Sequence, residues 1–290
     1  MLRVAQSKPA QLRIEVRTFD GDLATPTAAP QVTIADASGA TVQTGTGTAD
    51  PTTTGVYLLA LNSAVTGTLG DYTATATWTR DSVQDRQITH LQTVSAHLFE
   101  LPEFRAHDPG IADPDLYPAY LLRDARDKAT DRLERAAKVA FTHRSRVVSG
   151  RVETDLGSLL LPDAYIESVA VWADGVELDD DQYRVVWRTG ELIAEDGPWP
   201  SGTDLQVEYT YGMSAQPAGP VSRAAMLLAL EYLIPSQLPA RATSQSTDLG
   251  DFRISVADPS MYQWTGIPEV DAVIAEYGMN RPPTGGVLWR

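Results

Sequence analysis

The chain has 290 residues, no cysteine and a formal net charge of -15, with 43% hydrophobic and 21% charged residues. That length and balance give room for two cored domains and exclude a globally disordered chain. The missing thiols exclude disulfide scaffolds, thiol catalysis and cysteine-based zinc or iron–sulfur centres, and the acidic excess disfavours general nucleic-acid binding.

The N-terminal residues MLRVAQSKPAQLR show no apolar stretch after their early charges, so no cleaved signal is expected. No run approaches the ~20 apolar residues of a membrane span, and no membrane partner is expected. Residues 1–95 read as all-β. Leu12, Ile14 and Val16 alternate with Arg13, Glu15 and Arg17, and Val32 and Ile34 repeat the pattern. VYLLAL follows Gly55. In 72–79, Tyr72, Ala74, Ala76 and Trp78 take one face and four threonines the other. Ile88 to Val94 makes a last strand. Turn signals at Asp20-Gly21, Ser38-Gly39, TGTGTADPTTTG and Gly70-Asp71 separate these runs, and their spacing predicts an immunoglobulin-like sandwich. Tyr72 reads equally as a corner tyrosine or a core aromatic.

Residues 96–116 mix apolar residues with prolines and acids and read as a linker, although Leu98, Phe99, Leu101 and Phe104 imply packing on something. The period then becomes helical. Leu122, Ala125, Ala129, Leu133, Ala136 and Ala140 form one stripe, with Asp124–Lys128, Asp131–Arg135 and Glu134–Lys138 as acid-before-base pairs on the solvated side. Strands are expected at 146–152, 166–172, 183–187 and 205–211. A second helix, 221–234, carries Val221, Ala224, Ala225, Leu228 and Tyr232 and is apolar nearly all round, which demands burial within the domain or between subunits. Residues 236–250 read as a polar loop, DFRISV as a short strand, and 268–277 as a third helix that opens on Pro268 and presents Val270, Ile274 and Tyr277. The tail RPPTGGVLWR, residues 281–290, has no period and is expected to await a partner. The fold class is therefore α+β.

Motifs for chemistry are sparse. His90, His97, His107 and His143 form no ligand spacing, and no metal or cofactor is expected. Asp179, Asp180 and Asp181 fit a solvated hairpin edge better than a calcium loop. TGTGT lacks the strand–helix context of a phosphate loop, and neither a Walker sequence nor a GxSxG elbow occurs. The island His143, Arg144, Arg146 and Arg151 reads either as a helix C-terminus with an edge strand or as a contact for an acidic neighbouring subunit.

One ordered series of segments stands out: AAKVAFTHRSRVVSG, SLLLPDAYIESVAVWADGVELDDDQYRV, GPWPSGTDLQVEYTYGMSAQPAGPVSRAAMLLALEYL, RATSQSTDLGDFRISV and TGIPEVDAVIAEYG. From Tyr117 to about Asn280 this succession resembles the head-to-tail connector, or adaptor, proteins of tailed bacteriophages. The resemblance implies a non-enzymatic virion protein, made in the host cytoplasm and seated in the neck between capsid and tail. It implies a homo-oligomeric ring, typically of twelve subunits, below the portal protein, which receives the next neck or tail-completion protein and passes genomic DNA without specific binding. Helices would pack around the ring, through Leu122, Ala125, Ala129, Leu133, Ala136, Val221, Ala225, Leu228 and Tyr232. Portal contact would fall on Pro268, Val270, Ile274, Tyr277, Arg281, Val287, Leu288, Trp289 and Arg290. The chain departs from compact adaptors in carrying residues 1–95, which would project outward to decorate the neck or brace the capsid vertex. A surface adhesin or carbohydrate-binding module, and an enzyme with an acidic site, are the competing classes.

Overall fold

Alternating β-branched and small apolar residues pair along the first 95 residues into two sheets. A computed structural model describes residues 1–18, 20–80, 82–234, 242–248, 251–256 and 265–279. Strands β1 (Leu2–Ala5), β2 (Gln11–Glu15), β3 (Gln31–Asp36), β4 (Thr41–Thr46), β5 (Thr48–Ala49) and β6 (Val56–Ala60) lead to a short helix α1 (Ser63–Thr66), then β7 (Gly70–Arg80) and β8 (Val83–Val94). One sheet runs β1-β8-β7-β3-β4 and the other β2-β6-β5. β1 lies parallel to β8, with Arg3 opposite Gln92. Period-two patterning fills the space between the sheets: Leu12, Ile14, Val16, Val32, Ile34, Ala74, Ala76 and Trp78 are all buried.

Tyr72 holds both of its expected roles. Its ring is buried in this core, and its hydroxyl donates to the Thr68 carbonyl at 3.2 Å. The N-terminal LRVA, which carries no turn signal and only four residues, is a strand that sequence patterning does not reveal.

Residues 96–116 contain helix α2 (Leu101–His107) and a 3₁₀ turn, Pro109–Ile111. Leu98, Phe99, Phe104 and Ile111 sink into the core formed by helix α3 (Ala119–Ala137), helix α4 (Gly219–Leu233) and helix α5 (Pro268–Tyr277). α3 ends at Lys138, which adopts a left-handed conformation and donates its N–H to the Glu134 carbonyl.

Between α3 and α4 lies a second β unit. It contains β9 (Arg144–Arg151), β10 (Ser158–Leu160), β11 (Ile166–Ala173), β12 (Val176–Glu177), β13 (Tyr183–Val186), β14 (Glu191–Ala194) and β15 (Asp204–Tyr211). Two antiparallel sheets form, β12-β11-β15-β9 and β10-β14-β13, around Val148, Leu161, Val171, Leu192, Val207 and Tyr209. The molecule is thus α+β, with an all-β N-terminal region followed by helices and small antiparallel sheets.

The segment read as a polar loop is corrected in part. Its residues 242–248 form β16 (Ala242–Asp248), paired antiparallel with β17 (Asp251–Val256). Backbone pairing outweighs a serine- and threonine-rich composition that reads as irregular.

Candidate assembly surfaces

Helix α3 has two buried faces. The first carries the expected stripe, Leu122, Ala125, Ala129 and Leu133, each at most 2% exposed against α4 and α5. The second is polar: Arg126, Asp127, Thr130 and Glu134 are buried as well. Strand β1 covers that second face. The Arg3 N–H donates to Asp127 Oδ2 at 3.0 Å, and its guanidinium reaches the Asp127 carbonyl at 3.1 Å, Asp131 at 2.6 Å and Glu134 at 3.2 Å. From the opposite side Arg144 of β9 donates to both Glu134 oxygens, at 2.6 and 2.5 Å, and the Phe141 N–H adds a bond at 3.1 Å. Glu134 therefore ties the N-terminal sheet, the helical core and the second β unit together.

The expected pairs Asp131–Arg135 and Glu134–Lys138 give way to these long-range partners, because a desolvated arginine holds a carboxylate better than an exposed lysine one turn away. Only Asp124–Lys128, at 2.6 Å, keeps its expected surface role.

Burial dominates the titration of this cluster. It pushes the Asp127 carboxyl up despite Arg126 and Arg3, and pushes Arg126 down despite Asp127. His97 is driven down to about 3 by burial and by the charges of Arg126, Arg3 and Arg123.

A second cluster lies on the β9–β15 sheet. Asp163 accepts from Arg146 and from the Tyr209 hydroxyl, each at 2.7 Å. Burial and the Asp163 charge push the Tyr209 phenol up and that of Tyr211 up to about 12. The basic island is thus largely consumed inside one chain. Arg144 pairs with Glu134, Arg146 with Asp163, and His143 lies 3.0 Å from Glu167. Arg151 remains exposed, 3.9 Å from Asp204.

Glu134, Asp131 and Asp163 are each engaged by an arginine side chain. Among the described residues no three His, Asp or Glu side chains converge to hold a metal ion.

The residues expected at interfaces fall into two groups. Leu122, Ala125, Ala129, Leu133, Val221, Ala225, Leu228, Val270 and Ile274 are withdrawn into the helical core of one chain. They have no surface left to bury against a neighbour. Ala136 and Tyr277 are half-buried and Pro268 is exposed. Tyr232 is 42% exposed, and Ile234 and Leu116 beside the helical core are also open. Arg281, Val287, Leu288, Trp289 and Arg290 lie outside the described residues.

Sequence reasoning missed Trp187, which it placed at a strand end. It sits in the turn after β13, 60% exposed, against Tyr165 with ring centroids 5.7 Å apart.

No family model and no curated protein matches the chain. Among solved structures it is similar to a chain in the neck of a native GTA particle computed with C12 symmetry. That match has 18% identity and a TM-score of 0.43, and covers 64% of this chain and 91% of that one. A chain in the neck of an empty GTA particle computed with C6 symmetry gives 21% identity and TM-score 0.43, covering 65% and 93%. A chain of the virion of a native gene transfer agent particle gives 19% and 0.44, covering 64% and 91%. At TM-scores below 0.5 such a likeness decides neither fold nor function.

Proposed function

We propose that the chain is a non-enzymatic structural subunit of a tailed-phage-type particle, a head-to-tail connector. It forms a ring, of twelve copies in the typical case, that joins the portal to the next neck or tail protein and surrounds the passing DNA. The observation that carries this reading is the ordered succession of elements from α3 through the β9–β15 unit, α4, the β16–β17 hairpin and α5. Their sequence segments resemble, in the same order, those of head-to-tail adaptors.

In this reading residues 1–95 form an immunoglobulin-like domain, 96–116 connect it, 117–280 are the adaptor-like domain, and 281–290 are a partner-binding tail. Portal contact falls on exposed Pro268, on Tyr277 and on Arg281, Val287, Leu288, Trp289 and Arg290. Large aromatics such as Trp289 give much contact area at low entropic cost. Subunit packing falls on the side chains that one chain leaves open, Tyr232 first. The net charge of -15, multiplied around a ring, lets DNA slide without sticking.

The test is negative-stain electron microscopy of the protein mixed with its cognate portal. A new ring layer stacked on the portal is expected. Absence of added density on intact portals overturns the reading.

A further inference from the structure

Helix α3 ends against strand β9 at a cavity of about 370 Å³. Three cations line it: Lys138 at the left-handed end of α3, and Arg144 and Arg146 of β9. Two carboxylates line it with them, Glu134 and Asp163. The rest of the wall is largely apolar, with Val139, Leu160, Pro162 and Ala164.

Ion pairing inside the cavity leaves cationic groups over. Glu134 takes Arg144, and Asp163 takes Arg146. Glu134 is also shared with Arg3, 3.2 Å away. Lys138 is exposed, and no ion pair among the described residues includes it. Arg144 is 7% exposed, yet its Nε has no hydrogen-bond partner among the described residues. A buried donor left unpaired is costly, and more so on a charged group. Tyr211 also lines the cavity and adds no negative charge. Burial and the Asp163 charge push its phenol up to about 12, so it stays a neutral hydroxyl.

Three positive charges therefore meet two negative ones, in a chain whose total is -15. One monovalent anion closes that count, and a dianion overshoots it. A carboxylate accepts several donors at once, and its bonds from arginine are among the strong ones. The apolar wall suits an aliphatic stem behind the charge. At about 30 Å³ per water, the space holds a short side chain with several waters.

We propose that this cavity binds a single carboxylate carried on an aliphatic stem, as a glutamate side chain presents it, with Lys138, Arg144 and Arg146 as the donors. The inference does not rest on the connector reading. A second copy of this acidic chain and a free aliphatic acid both supply that chemistry, and the test separates them.

Full-length chain containing isotopically labelled arginine is titrated with sodium butyrate, with sodium chloride at equal ionic strength as reference. The Nε–H resonances of Arg144, Arg146 and the exposed Arg184 are assigned by single lysine replacements. Butyrate should shift those of Arg144 and Arg146 saturably in the millimolar range, while Arg184 follows the chloride reference. If the Arg144 replacement does not fold, Arg146 alone decides. Lys138→Asn keeps a residue type that tolerates the left-handed end of α3, and it should weaken binding about tenfold. Shifts no larger than in chloride, or no larger than that of Arg184, overturn the proposal, as does an affinity indifferent to Lys138→Asn. The source is read from a dilution series without butyrate. Shifts of the same two resonances on concentrating the protein, reversed by butyrate, assign the carboxylate to a second copy. Resonances constant with protein concentration yet shifted by butyrate assign it to a free acid.

Discussion

Arg3 and Glu134, 131 residues apart in sequence, meet at 3.2 Å with both side chains withdrawn from water. Removing one partner of such a buried pair leaves an uncompensated charge, at a cost of about 3–5 kcal/mol. Glu134→Gln leaves Arg3 with Asp131 but takes the carboxylate from Arg144, so it should lower stability by about that range. Urea unfolding followed by far-UV circular dichroism measures it. A change below about 1 kcal/mol, the level of a surface pair, would mean that the cluster is open to water.

Arg3→Ala and removal of residues 1–95 should act in opposite senses on the remaining core. The point substitution leaves Asp127 and Glu134 covered by β1 with one cation fewer. Truncation uncovers the polar face of α3 and lets water solvate Arg126, Asp127 and Glu134, while Arg144 still holds Glu134. The truncated chain should therefore keep a cooperative unfolding transition, and ring assembly on the portal should survive. Loss of assembly would show that the sandwich is part of the ring rather than an outward decoration.

His97 gives a pH signature. Its folded pKa of about 3 lies below the ordinary 6.5, so between these values the unfolded chain binds the extra proton. Stability from this group is complete above pH 6.5 and falls as pH drops toward 3, with a slope of up to about 1.4 kcal/mol per pH unit. His97→Asn should flatten the acid limb of a melting-temperature profile between pH 7 and pH 4 relative to the parent. Parallel profiles would mean that water reaches the imidazole.

What could be read in advance follows from the range of each interaction. β7 and α3 announce themselves because their alternations and stripes are local, and Tyr72, Trp78, Leu122 and Leu133 take the faces their spacing predicts. β1, β10, β12 and β14 are too short to show a period. The ion-pair cluster was hidden because its signal is long-range. Glu134 reads locally as a partner for Lys138, and nothing near Arg3 points to α3. Asp127, Asp131 and Glu134, recurring at helical spacing, form an acidic stripe that calls for a cation. The stripe is visible in the sequence, but the identity of the cation is not.

The helical core allows a sharp separation between folding and assembly. Leu133 is fully buried within one chain, so Leu133→Ala should lower the stability of the isolated protein by about 2–5 kcal/mol. Tyr232, 42% exposed, should cost the isolated chain within about 0.5 kcal/mol when replaced by alanine, since it supports little of the core. In the connector reading the same substitution weakens ring formation on the portal. If Tyr232→Ala assembles as the parent does, subunit packing belongs to another surface.

Gly212 provides the strictest local prediction. Its φ is +126°, and a Cβ there would lie 2.4 Å from the Thr142 carbonyl oxygen and 3.1 Å from the His143 Cα. Both obstacles are backbone, on the connection that carries Phe141 into β9, so neither can rotate away. The Gly212 N–H also holds the Tyr165 carbonyl, and any shift that relieves the clash pulls on Tyr165. Gly212→Ala should therefore destabilise by more than about 3 kcal/mol, beyond the ordinary cost of a strained backbone position. It should also change the fluorescence of Trp187, whose ring rests on Tyr165, even under conditions where the chain remains folded. The fluorescence is read against a matched Trp187→Phe pair, so that the signal of the other tryptophans is subtracted. A substitution that melts like the parent, with unchanged Trp187 emission, would mean that the 140–143 connection yields freely and that Tyr165 is not fixed by Gly212.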